Sequence, residues 1–188
     1  MPRALAVSLA LLAVIRLSTG QQPAAIASRD VYSGPAFTAE LATRTPSPIS
    51  IEDPEAEQEL LALANQSRGA AGIQPLQLDA SLNDAARTHA RMMIEREQLS
   101  HHFDGEPTLV QRLLDTGLRT DHVAENVAFN ASAEKAFEAL MQSPGHRRNL
   151  LDRSFNTAGV VAIWSGHRLY VVQDFAHRLP AITPASLP

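Results

Sequence analysis

Ala158-Gly-Val-Val-Ala-Ile-Trp-Ser-Gly-His-Arg-Leu-Tyr-Val-Val-Gln-Asp-Phe175 contains two apolar runs, 158–164 and 168–175, parted by Ser165-Gly166. Runs rich in β-branched and aromatic residues around a glycine-bearing break predict a hairpin. Odd and even positions are apolar alike, so a sheet built from these strands has to be covered on both faces. Helical patterns elsewhere in the chain supply the cover, and the element set predicts a helix–sheet–helix sandwich.

Upstream, Asp53 is a fitting N-cap, with Pro54 at the first helical position and Glu55, Glu57 and Glu59 near the positive helix end. Leu60, Leu61, Leu63 and Ala64 give that helix its apolar face, and Gly69 and Gly72 end it. Asn65 and Arg68 read as a solvated helix end, with bonds to neighbouring loops as the other reading. A second helix, capped by Asp79 or Ser81, repeats Leu82, Ala85, Ala86, His89, Ala90 and Met93 at helical spacing to about Gln98. His89 lies on this stripe and reads as a satisfied core histidine outside any site. Leu109, Val110, Leu113 and Leu114 form a third, short helix stopped by Gly117. Ala124 to Phe129 is β-like, with Glu125 at its start. A fourth helix begins at Ser132 and carries Ala133, Ala136, Phe137, Leu140 and Met141 on one face.

The ends of the chain read differently. Arg3 followed by an apolar run from Ala4 to Ile15, too short to span a bilayer, with Ser18-Thr19-Gly20 after it, predicts a secretory signal peptide over residues 1–20. An uncleaved anchor is the alternative. Residues 21–52, with scattered prolines and no sustained period, are expected to be a disordered linker; 53–178 form the folded domain and 179–188 a loose tail. The expected location is secreted or periplasmic, with membrane contact only transiently through the signal peptide. The chain contains no cysteine, so its core holds by packing rather than by disulfides. A net charge of −4 and no basic stripe exclude nucleic acid as a partner class.

Ser143-Pro-Gly-His-Arg-Arg-Asn-Leu-Leu151 joins the fourth helix to the hairpin. Ser143 and Pro144 are suited to the start of a short helical turn, whose positive end disfavours imidazolium at His146 and keeps the ring able to accept a proton or ligate a metal. His101, Glu125 and His146 all stand at element junctions. Two imidazoles and a carboxylate are the donor set of an open zinc site. Arg147 and Arg148 read as solvated, an anionic headgroup or cell-wall polymer being what they would attract if they bind. Asn126 and Asn149 are expected to tie loops to backbone, and Gln173 and Trp164 to be packed.

Leu99-Ser-His101, Ala124-Glu-Asn-Val-Ala128, the 143–151 stretch, Ala158-Gly-Val160 and Tyr170-Val-Val-Gln-Asp-Phe175 together resemble, in order and spacing, the motifs of the CAP superfamily. That superfamily groups cysteine-rich secretory, antigen 5 and pathogenesis-related proteins, and the chain is similar to its cysteine-free bacterial branch of SCP-like extracellular proteins. The resemblance spans about residues 55–178. It implies an α+β fold, an α-β-α sandwich with a small, mostly antiparallel central sheet, and a cleft in which His101 and His146 match the two histidines and Glu125 the glutamate. Ala124 replaces the usual glycine before that glutamate. Ser143 falls where a second glutamate stands in other members, with Asp104 and Glu106 as nearby substitutes in sequence.

Two functions are therefore expected. The first is a secreted binding module whose cleft takes one divalent metal, zinc, through His101, Glu125 and His146, or a lipid, peptide or envelope ligand. The second is a metal-assisted hydrolase of peptides or cell-envelope esters, with Glu125 and His146 as the catalytic pair. Neither a His-Glu-x-x-His helix nor a Gly-x-Ser-x-Gly elbow occurs. Ser132-Ala-Glu-Lys135 lacks the companion motifs of penicillin-binding enzymes and is accounted for as an N-cap.

Overall fold

A computed structural model describes residues 49–181. The expected signal peptide, most of the expected linker and residues 182–188 of the tail lie outside the described residues. Strand β1 (Ser50–Glu52) occupies the last three positions of the stretch read as linker. Its backbone pairs antiparallel with β4, which a sequence period cannot reveal over so short a run.

The α-β-α sandwich is present. After β1 come α1 (Pro54–Ala70), β2 (Gln77–Leu78), α2 (Ala80–Glu95), α3 (Leu109–Asp115), β3 (Thr120–Asn130), α4 (Ala133–Gln142), α5 (Pro144–Leu150), β4 (Thr157–Ser165) and β5 (Arg168–Arg178). The sheet order is β1-β4-β5-β3, with β2 also on β4, and every pairing is antiparallel except β2 with β4. The β4–β5 hairpin turns where Gly166 takes φ +58, a conformation that glycine adopts without a Cβ clash.

Period-2 alternation divides the core into two layers. Ala158, Val160 and Ala162 of β4 with Leu169, Val171 and Phe175 of β5 meet α1, α4 and α5 on one face. Val161, Ile163, Tyr170 and Val172 meet α2 on the other, and Ala176 joins Leu82 of α2 and Leu113 of α3. Local signals fix the helix starts. Asp53 accepts from the N–H of Ala56 at 3.0 Å and from the Trp164 indole at 2.8 Å, so one cap also ties α1 to β4. Asp79, rather than Ser81, caps α2 through the N–H groups of Ser81 and Leu82. Ser132 caps α4, whereas Ser143, shared by α4 and α5, makes no side-chain cap bond. Helix α2 ends at Glu95, before the expected Gln98, because Glu97 turns to φ 49.

Arg68 departs most from its reading as a solvated helix end. The side chain is fully buried, and its guanidinium donates to the carbonyls of Gln74 (2.9 Å), Leu150 (3.0 Å), Asp152 (2.8 Å) and Phe155 (2.8 Å). It fastens the end of α1 to the segment that leads from α5 into β4.

Helix α2 lies so close to β4 that a Cβ on Gly159 would stand 2.4 Å from the Leu82 carbonyl carbon and 2.6 Å from its oxygen. The approach is used: Asn83 accepts from the Val160 N–H at 2.8 Å. Gly159→Ala therefore has to push a helix off a buried strand, and its expected loss is about 3 kcal/mol in urea unfolding. An unchanged urea midpoint would show that the two backbones separate freely.

Candidate functional site

Strand β3 is the sheet edge on which the chemistry gathers. Its alternation sends Ala128 to the α1/α4/α5 layer and Val127 to the α2 layer. Glu125, two residues from Val127, therefore faces α2 and α3, and Asn126 faces α5. Glu125 sits in the middle of an eleven-residue strand and not at a strand start. The polar residues Thr120-Asp-His122 extend β3 as a solvated edge past a register irregularity, so no apolar run announces them.

Both oxygens of the Glu125 carboxylate are engaged. Oε1 meets His101 Nδ1 at 2.9 Å, and Oε2 accepts from Nη2 of Arg112, with His89 Nε2 at 3.8 Å. Arg112, on α3, donates through Nη1 to Glu106 Oε1 at 3.1 Å. Glu106 stands 2.6 Å from His89 Nδ1 and accepts from the Phe103 N–H, while His89 Nε2 donates to the Ser100 carbonyl at 2.8 Å. His89 is thus the satisfied core histidine its stripe implied, although it borders the site. Charged side chains this deeply buried persist only when paired and hydrogen-bonded, as these are.

His101 and His146 meet at the open end of this chain, with ring centroids 6.3 Å apart. Helix α5 holds His146 there through two amides. Asn126 donates to the His146 carbonyl at 3.2 Å and to Gln173 Oε1 at 3.3 Å; Asn149 donates to the Glu125 carbonyl at 3.2 Å and to Asn126 Oδ1 at 3.0 Å. The hydrogen bond that His101 donates to Glu125 raises the His101 pKa against the opposing effect of burial. Burial, and then the charge of His101, lower that of His146. The two shifts run in opposite directions, so His101 holds a proton more readily than His146 does.

The three expected site residues are therefore brought together, but unequally: two imidazoles side by side, and a carboxylate behind one of them. Among the described residues no three His, Asp or Glu side chains are arranged to hold a metal ion. Ser143, which the resemblance sets where other members carry a second glutamate, brings no carboxylate, and among the described residues neither Asp104 nor Glu106 hydrogen-bonds to His101 or His146. Asp104 is exposed, and Glu106 closes the far side of Arg112.

Sequence reading missed Arg112 and Asp174. Asp174 pairs in register with Glu125 across β3 and β5, is fully buried, and has no hydrogen-bond partner for either carboxylate oxygen among the described residues. Burial first, then the charge of Glu125, raise its pKa well above the carboxylate range. A lone acid inside an apolar strand was the signal available.

The family model described as CAP, the cysteine-rich secretory protein family, matches residues 61–175. YkwD of Bacillus subtilis (strain 168), described as uncharacterized, is 27% identical over 146 residues, which cover 77% of this chain and 56% of YkwD. The chain thus spans little more than half the length of that curated relative. An outer surface protein of Borrelia burgdorferi superposes with a TM-score of 0.66 at 20% identity, covering 70% of this chain and 99% of its own. An extracellular, SCP-domain protein of Bacillus anthracis str. Ames gives 0.61 at 25% identity, covering 67% of this chain and 41% of its own. Among the described residues no helix is long and apolar enough to cross a membrane.

Proposed function

The chain belongs to the CAP, cysteine-rich secretory protein family, and from that premise we propose that it acts outside the cytoplasm as a binding module, with the paired imidazoles of His101 and His146 as its contact with a divalent cation such as zinc. The observation that carries this reading is the 6.3 Å pairing of the two rings above a fully engaged Glu125. With Nδ1 of His101 donating to Glu125, Nε2 keeps a lone pair for a cation, and the carboxylate serves to orient and enrich the ring rather than to ligate. Among the described residues the side-chain hydrogen bond at His146, from Asn126, reaches its main-chain carbonyl and not its ring, so the ring nitrogens are also available. Two nitrogens leave positions for water or for an oxygen of the bound ligand. Burial favours neutral His146, the form that ligates.

Calorimetric titration of the full chain with Zn²⁺ is expected to show one site. His101→Ala and His146→Ala each abolish it, while Glu125→Gln weakens it by about ten- to a hundredfold, as loss of an orienting partner does. Affinity falls as pH drops through the folded pKa of His101, which Glu125 holds above the ordinary imidazole value of about 6.5, because protons compete with the cation for the ring. Equal affinity in wild type and both alanine variants would remove the imidazole pair from the proposal.

A further inference from the structure

Arginines in this domain are almost all engaged. Among the described residues Arg68, Arg87, Arg91, Arg112, Arg119, Arg153 and Arg178 each reach a carbonyl or carboxylate oxygen. Arg96 packs over the Phe103 ring at 4.7 Å and Arg168 over the Phe129 ring at 4.8 Å. Arg147 and Arg148 are the exceptions, exposed and without an acceptor or ring among the described residues. They line one hollow of about 430 Å³ beside the α4–α5 junction, together with Met141, Pro144, Leu151 and Asp152. The one acid in that lining is occupied: Asp152 Oδ1 accepts from the N–H and hydroxyl of Ser154, and Oδ2 faces His122 at 3.5 Å. Two arginines without a hydrogen-bond acceptor among the described residues therefore share a hollow with the single carboxylate of Asp152 and three apolar side chains, on a chain whose net charge is −4.

We propose that this hollow is a second binding site, for the phosphate group of an organic phosphate ester. Guanidinium forks match phosphate oxygens two at a time, and two adjacent forks suit a group of that charge better than a single carboxylate. Met141, Pro144 and Leu151 receive the organic substituent. The volume falls within the ~300–1,000 Å³ of small-molecule sites. Neither His101 nor His146 is part of the lining, so the site stands apart from the imidazole pair and does not rest on the cation reading.

The test uses the full chain and four probes: inorganic phosphate, glycerol 3-phosphate, and vesicles of phosphatidylglycerol or of phosphatidylcholine. Arg147→Gln/Arg148→Gln is compared with Arg91→Gln/Lys135→Gln, which removes the same charge from elsewhere on the surface. Glycerol 3-phosphate is expected to bind more tightly than phosphate and to lose at least tenfold in affinity only in the Arg147/Arg148 variant, with binding weakened by salt. Retention on phosphatidylglycerol but not phosphatidylcholine vesicles, lost in the same variant, would support the site and identify a lipid headgroup as the source of the ester. No binding of any probe, equal loss in both double variants, or inorganic phosphate bound as tightly as the ester would each overturn the proposal.

Discussion

Arg68→Ala is expected to lower unfolding stability by about 3–5 kcal/mol, a large share of what holds a domain of this size together. The side chain is fully buried, and its guanidinium satisfies four main-chain carbonyls from two separate segments. Truncation leaves those oxygens without donors in a dry interior and opens a void the size of a long side chain; each orphaned group costs about 1–3 kcal/mol unless water enters. Arg68→Lys keeps the charge, but its ammonium cannot reach out as a planar fork, so only part of the loss is recovered. The change also loosens the main chain at Leu150, Asp152 and Phe155, and with it the C-terminal end of the helix that presents His146. Urea unfolding supplies the measurement, and a loss under about 1 kcal/mol would show that the carbonyls find other donors.

Why Arg68 escaped a reading of the sequence is instructive beside what did not. Helices α2 and α4 were legible because each carries its own cap and its own apolar stripe within about 16 residues, and the hairpin because its turn and both strands are contiguous. Arg68 looks like any cation at a helix end; three of its four acceptors lie 82 to 87 residues further on. The same asymmetry divides the site. His101, Glu125 and His146 were found through motifs that resemble a family, and Asn126 and Asn149 through their places beside those motifs. Arg112 stood on an amphipathic helix as one more polar residue. Asp174 lay in an apolar strand where alternation alone puts it on the side of Tyr170 and Val172. Only the β3–β5 register, which sets Asp174 opposite Glu125, turns these residues into one buried cluster.

Removing the cation from that cluster gives the second large effect. Arg112→Ala leaves Glu106 and Glu125 without the guanidinium that bridges them, beside an Asp174 that already lacks hydrogen-bond partners. The expected loss at neutral pH is about 3–5 kcal/mol, that of breaking a buried ion pair from one side. Urea unfolding of wild type and Arg112→Ala at neutral pH supplies the measurement, and a loss under about 1 kcal/mol would show that the two carboxylates find other partners.

Asp174→Asn supplies the opposite sign. Burial, and then Glu125, hold the Asp174 pKa far above its unfolded value of about 3.9. Above that pH the unfolded chain sheds a proton the folded chain retains, so wild type loses stability steadily as pH climbs toward the folded pKa. An amide has no proton to shed. The variant should match wild type near pH 4 and exceed it increasingly toward pH 7. Comparing the two at each pH cancels the imidazoles, which act in opposite directions. Raised His101 contributes stability below about pH 6.5 that is lost as pH rises through its folded value, whereas lowered His146 contributes stability above about 6.5 that is lost as pH falls. Parallel stability curves for wild type and Asp174→Asn from pH 4 to 7 would mean that Asp174 is ionised in the folded protein, with a cation beside it.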